Sequence, residues 1–125
     1  MLDERFADFL TRVAAQKGTA AKRNAVETFV EKVKSRGQLV TEDSTVYFMY
    51  YGIARRVSVP SDLNGWSLAI DTMKRIDGTN LFYLAKSVDD AARFEYKLAV
   101  DSTRILDPLN QQQAFGGYGP NSEIW

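Results

Sequence analysis

The chain has no histidine and no cysteine among its 125 residues. These two absences remove the usual general base, the imidazole metal ligand, the thiolate nucleophile and every disulfide. A Ser-His-Asp hydrolase therefore cannot be assembled from this chain alone. We expect it to be non-catalytic and to need no cofactor and no metal.

The chain has no net charge, because 16 Lys and Arg residues balance 16 Asp and Glu residues. It also has no long apolar run. Neither the helical part nor the rest has the dense basic stripe with stacking aromatics that nucleic-acid binding needs, and no run is long enough to span a bilayer. We therefore expect neither nucleic acid nor a membrane as a partner. The acidic, interrupted N-terminus does not resemble a signal peptide, so a cytoplasmic location is expected unless a leader has been removed.

Two amphipathic helices are predicted over residues 1–37. The second begins near Thr19, a suitable N-cap, and both helices end at a glycine, Gly18 and Gly37. Their apolar stripes predict a helical hairpin that caps the following domain, with homodimerisation through the same face as the alternative. The stripes consist of Leu2, Phe6, Phe9, Leu10 and Val13, then Val26, Phe29, Val30 and Val33.

After Gly37 the pattern changes to short β-strands, predicted over residues 45–51, 56–59, 68–73, 80–86 and 93–101. Their spacing of about ten residues predicts a mainly β fold, an antiparallel β-sandwich over residues 38–110. The glycine-rich and amide-rich tail, residues 111–125, is predicted to be an exit linker. The two inner faces of the sandwich are predicted to hold Tyr47, Phe48, Tyr50, Tyr51, Phe82, Tyr83, Phe94 and Tyr96.

Five short signatures within residues 56–110 resemble an early-set, immunoglobulin-like domain. This domain occurs as a glycogen- or starch-binding module and as the non-catalytic N-terminal domain of enterochelin-esterase-like hydrolases. The resemblance implies a domain that packs against a downstream catalytic α/β-hydrolase domain and shapes substrate access. A carbohydrate-binding module for α-glucans is the alternative. The signatures are Val57-Ser58-Val59, Asp62-Leu63-Asn64-Gly65-Trp66, Asp77-Gly78-Thr79-Asn80, Ala92-Arg93-Phe94-Glu95-Tyr96-Lys97 and Asp107-Pro108-Leu109-Asn110.

Trp66 is the candidate binding residue, because Asn64-Gly65 favours a tight turn that holds an indole at the surface, where a sugar ring stacks. The resemblance implies that Trp66 is a glycan platform assisted by Lys97, with Asn64 beside it. Arg104 stands where the family has a second tryptophan, which implies weak glycan binding. The favoured alternative is that Trp66 packs the loop against the edge of the sandwich.

Two carboxylates near the end of the predicted sandwich, Asp101 and Asp107, suggest a pair facing each other across a turn. Such a pair is the minimum for glycosidase chemistry, which is a remote option here. The Asp107-Pro108 step more readily predicts a rigid turn, because the proline ring fixes φ and biases the residue before it.

Overall fold

The helices form where the apolar spacing predicts them, and strands follow to the end of the chain. The computed structural model describes residues 4–88, 94–111, 113–116 and 119–124. In this part of the chain no helix is long and apolar enough to cross a membrane. The elements are α1 (Phe6–Ala14), α2 (Thr19–Arg36), β1 (Val40–Glu42), β2 (Thr45–Tyr51), β3 (Val57–Ser58), β4 (Lys74–Arg75), β5 (Leu81–Ser87), β6 (Phe94–Tyr96), β7 (Leu98–Val100), β8 (Thr103–Ile105), β9 (Gln113–Gly116) and β10 (Gly119–Ile124).

The helix ends follow the predicted signals in part. Gly37 adopts the left-handed conformation, with φ 66°, as the C-cap of α2, and this prediction is confirmed. Thr19 was predicted as the N-cap but is the first helical residue, because Gly18 takes the cap position. A residue far away in the sequence caps the N-terminus of α1. The Glu42 carboxylate accepts a hydrogen bond from the Phe6 N–H, with its two oxygens at 2.9 Å and 3.1 Å.

All strand pairs are antiparallel and fall into three sheets. The central sheet has the order β1-β2-β5-β4, and its longest pair runs from Thr45 opposite Ser87 to Tyr51 opposite Leu81. The other two sheets have the orders β3-β7-β8 and β6-β10-β9. An isolated bridge between Ser61 and Tyr96 joins these two sheets edge to edge, so together they form the second layer of the sandwich.

The central sheet is buried on both faces, which gives a helix layer, a sheet layer and a second sheet layer. One apolar core lies between helices and sheet, where Phe6 stacks on Tyr47 with ring centroids 4.5 Å apart. The second core lies between the sheet layers, where the Phe48 ring meets Tyr96 edge-on at 5.0 Å. The predicted β-sandwich preceded by a helical hairpin is confirmed.

The helical hairpin acts as the predicted cap. Phe6, Phe9, Val13 and Val26 are fully buried in the first core, while Leu2 lies outside the described residues. Within the described part of the chain the apolar stripes therefore do not form a free face for homodimerisation. The prediction for the aromatic residues needs a correction, because one group packs against the helices and not inside the sandwich: Tyr47, Tyr51 and Tyr83.

One other secondary-structure prediction is wrong, and a second is confirmed only in part. Residues 68–73 form bends, because backbone hydrogen bonds pair this segment with β3 and the residue after it only around the bridge from Thr72 to Ser58. The predicted strand over residues 93–101 is interrupted at Lys97, whose N–H donates to Pro60 O at 3.0 Å; Arg93 lies outside the described residues.

The tail was predicted to be a linker, but it contains β9 and β10. These two strands pair with each other, and β10 also pairs with β6, with Ser122 opposite Tyr96. The tail therefore completes the second layer of the sandwich. These strands are paired through the backbone, and such pairing requires no apolar period in the sequence.

Candidate functional site

The Trp66 turn, residues 61–66, links β3 to the loop before β4. The N–H groups of Asn64 and Trp66 both donate to Ser61 O, at 3.2 Å and 2.9 Å. Gly65 and Trp66 have φ of 66° and 64°. Glycine adopts this left-handed conformation without cost, whereas a bulky residue such as tryptophan does so only where its surroundings enforce it.

Asn64 supplies much of that enforcement. Its side-chain oxygen accepts the Ser61 N–H at 2.9 Å, and its amide nitrogen donates to Val59 O at 2.8 Å and to the Asp71 carboxylate at 2.7 Å. Asp71 is fixed in turn by the Lys86 ammonium at 2.6 Å. Both amide hydrogens of Asn64 are thus used within the protein, so these contacts assign Asn64 to holding the turn.

The indole of Trp66 is held at the edge of the second layer. Its N–H donates to one oxygen of Asp62 at 3.1 Å, and the other oxygen accepts the Glu95 N–H at 3.0 Å. The Asp62 N–H also donates to Glu95 O at 3.1 Å, which fastens the turn to β6. Trp66 is half-buried and belongs to neither apolar core. It is therefore positioned at the surface by polar contacts.

Two apolar side chains on the same loop as this indole are exposed. Leu63 is 42% exposed and Ile70 is 64% exposed. Among the large apolar residues that the structure describes, the only other exposed one is Ile53, at 90%, on the loop between β2 and β3. We call Leu63, Trp66 and Ile70 the apolar patch. A hydrogen bond from the Asn64 amide to the Asp71 carboxylate joins the turn that carries Leu63 and Trp66 to the segment that carries Ile70.

The other two predicted site residues lie on neighbouring strands. Lys97 is half-buried between β6 and β7, and its N–H contact to Pro60 puts it next to the start of the Trp66 turn. Arg104 is exposed on β8, opposite Ala99 of β7. In the described part of the chain no hydrogen bond joins the side chain of Lys97 or Arg104 to Trp66.

A buried polar cluster, unforeseen from the sequence, lies beneath the second layer. The Tyr96 hydroxyl donates to Asp107 at 2.6 Å and accepts from the Asn110 amide at 3.0 Å. The Asp107 N–H donates to Ser122 Oγ at 2.8 Å. These bonds join β6, the turn at residues 107–110 and β10. All four side chains of the cluster are buried.

Burial raises the pKa of the Asp107 carboxyl to about 6, although hydrogen bonds from the Tyr96 hydroxyl and the Leu109 N–H act in the opposite direction. Burial, followed by the charge of Asp107, also holds the pKa of Tyr96 well above its usual range. The hydrogen bonds that stabilise the ionised form of Asp107 come from neutral donors, and burial outweighs them. A buried carboxyl of this kind titrates close to neutral pH, yet it has no route to a substrate because Asp107 is only 3% exposed.

The two candidate carboxylates have separate roles. Asp101 accepts the backbone N–H groups of Arg55 and Arg56 at 2.8 Å and 3.0 Å. Asp107 instead accepts the Leu109 N–H at 2.9 Å inside the predicted rigid turn, which is confirmed. Asp101 therefore fastens the loop before β3 to the turn between β7 and β8, whereas Asp107 stabilises its own turn. This arrangement does not supply the acid and base of a glycosidase.

A pocket of about 190 Å³ opens between α2, the end of β2 and the turn at residues 107–110. A cavity of roughly 150 Å³ holds one benzene ring, so this pocket has room for a single ring-sized apolar group. Exposed charged groups stand at its mouth. Its lining consists of Val30, Glu31, Lys34, Tyr50, Tyr51, Pro108 and Leu109.

No protein-family model and no curated protein sequence matches the chain. Among solved structures, it is similar to the ferric enterobactin esterase (fes) from Salmonella typhimurium, with TM-score 0.56 and 19% identity over 70% of this chain and 33% of the esterase. The enterobactin esterase FES from Shigella flexneri, in the presence of 2,3-di-hydroxy-N-benzoyl-serine, gives TM-score 0.56 and 18% identity over 75% of this chain and 34% of the esterase. The chain thus spans about a third of the length of these enzymes, with which it shares a fold.

Proposed function

We propose that this chain is a non-catalytic domain of an esterase-type hydrolase, which packs beside a catalytic α/β-hydrolase domain and shapes substrate access. The observation that carries the proposal is the likeness of 70% of this chain to one third of the Salmonella enterobactin esterase, at TM-score 0.56. By analogy with those enzymes, the parent's substrate is an ester that resembles enterobactin.

The chemistry of the residues supports a positioning role. Without histidine the chain offers no imidazole to activate a serine. The buried carboxylate Asp107 is engaged by Tyr96 and the backbone, and the more exposed Asp62 and Asp101 hold turns. These groups fix the shape of a scaffold, and a scaffold of fixed shape is suited to orient a neighbouring domain.

Two measurements test the proposal. The first reads the coding frame beyond residue 125, where we expect a G-x-S-x-G elbow followed by an aspartate and a histidine. The second assays the purified 125-residue chain and the full protein with a p-nitrophenyl ester, and only the full protein should hydrolyse it. A frame that encodes no hydrolase, or ester turnover by the short chain that survives repurification, would overturn the proposal.

Binding of α-glucans is a second candidate function, favoured by one observation, the half-exposed indole of Trp66 on a rigid turn. In this role Trp66 would stack on a sugar ring, with Lys97 and Arg104 as its polar partners. Titration with maltoheptaose tests it, through chemical-shift changes of the Trp66 side chain that are lost in Trp66→Ala. Saturable binding in the micromolar range would make this the main function.

A further inference from the structure

We infer that the apolar patch of Leu63, Trp66 and Ile70 is the surface through which this domain docks onto an apolar surface of the catalytic domain. The inference rests on the proposed function and names the contact that it requires. Exposed apolar side chains that are grouped on one loop mark interaction sites more often than scattered ones do. Two of the three exposed large apolar residues that the structure describes lie on the same loop as Trp66.

The patch is preorganised. Asn64, Asp62 and Asp71 hold the loop through hydrogen bonds of 2.7 Å to 3.1 Å, and they enforce the positive φ of Trp66. A strained backbone conformation of this kind is retained where the surroundings over-determine it, typically at binding surfaces. A tryptophan anchor that is already fixed loses little conformational freedom on binding, which is the feature that makes such residues interface hot spots.

The surroundings of the indole favour a protein surface over a glycan as the occupant. A sugar site needs free polar groups that take the sugar hydroxyls. Here both hydrogens of the Asn64 amide are engaged within the protein, and each Asp62 oxygen already accepts a hydrogen bond. The exposed apolar side chains on the same loop, Leu63 and Ile70, suit an apolar surface.

A covalently linked partner fits the small size of the patch. Three side chains bury far less than the roughly 1,200 Å² of a stable interface between separate proteins. A linked domain is present at a high effective concentration, so a small contact is sufficient to orient it. In the Salmonella esterase the shared part is 33% of the chain, so most of that enzyme lies beyond it and includes surface for such a contact.

The test is hydrogen exchange on the full protein, read by mass spectrometry over residues 61–73 and over the catalytic domain. The double variant Leu63→Ser/Ile70→Ser is compared with Ile53→Ser, which alters the other exposed apolar side chain, on a different loop. We expect the double variant to exchange at least tenfold faster at residues 61–73 and at one segment of the catalytic domain. Ile53→Ser should behave as the wild type, and equal melting temperatures of the sandwich in both variants would exclude misfolding.

Each other outcome overturns the inference in a recognisable way. Equal exchange in the double variant and in Ile53→Ser would remove the patch from the interface and leave the proposed function intact. A reading frame without a hydrolase domain would remove both. If maltoheptaose slows exchange at residues 61–73 in the wild type but not in Trp66→Ala, the occupant is a glycan and the docking assignment fails.

Discussion

Acidification from pH 7 to pH 5 should stabilise this domain, contrary to the usual course of acid denaturation. Burial raises the pKa of Asp107 from 3.8 to about 6. The folded state therefore binds this proton more tightly than the unfolded state does. The stabilisation is fully present below the unfolded pKa and is lost as the pH rises through about 6.

The magnitude follows from the size of the shift. A rise from 3.8 to about 6 corresponds to about 3 kcal/mol between the protonated and ionised limits, and to about 1.3 kcal/mol between pH 7 and pH 5. The chain has no histidine, the side chain that ordinarily titrates in this interval, so no histidine adds its own pH dependence. Glu4, whose pKa the Arg12 hydrogen bond lowers, contributes with the opposite sign but below its unfolded pKa of 4.5.

The assay is urea unfolding followed by circular dichroism at pH 5, 6, 7 and 8. The wild-type midpoint should rise by roughly 0.4 to 1.3 M between pH 7 and pH 5, from the usual urea slope for small proteins. Asp107→Asn keeps the shape of the side chain and its acceptor for the Leu109 N–H, so its midpoint should be flat over the same range. Equal pH slopes in the two proteins, or a loss of wild-type stability towards pH 5, would refute the reasoning.

Three further predictions concern stability. A chain that begins at Gln38 should aggregate or melt at a lower temperature, because burial of each large side chain of the first core contributes about 1.5 to 3 kcal/mol of stability. A cooperative melt at the full-length temperature would show that the hairpin is an accessory. Asn64→Ala should lower the unfolding free energy by roughly 2 to 4 kcal/mol, because three hydrogen bonds are lost, whereas Ile53→Ala should change denaturant unfolding little; similar losses in both variants would argue against a structural role for Asn64. Ser122→Ala leaves the buried Asp107 N–H without its acceptor and should cost about 1 to 3 kcal/mol in a thermal melt, and an unchanged melt would mean that β10 does not depend on this bond.

Sequence periodicity predicted the elements whose place depends on a buried apolar stripe. It found both helices, and it found β2 with its observed bounds, because Val46, Phe48 and their neighbours fill cores on either side. It failed where polar groups decide the path. The loop at residues 68–73 is set by bonds to Asp71, and β10 is set by pairing with β6, neither of which leaves an apolar period.

The features of the candidate site that could be predicted from the sequence are likewise the ones that depend on local signals. The surface position of Trp66 follows from the local Asn64-Gly65 signal, which acts within one turn. Burial of Tyr96 was predicted from the alternation, but its polar partners have no local signal, because Asp107 and Ser122 each resemble ordinary surface residues until β6 and β10 meet. Burial of polar groups depends on long-range pairing, which a single sequence does not display.

The position of the helical hairpin has a consequence during synthesis of the chain. The hairpin leaves the ribosome before the strands that follow it, and the sheet that covers its apolar face is complete only when β5 ends at Ser87, about 50 residues after α2 ends at Arg36. At translation rates of about 5 to 20 residues per second, that face stays uncovered for roughly 3 to 10 s. Slowing translation between residues 37 and 87 would lengthen the time in which this exposed apolar face can associate wrongly.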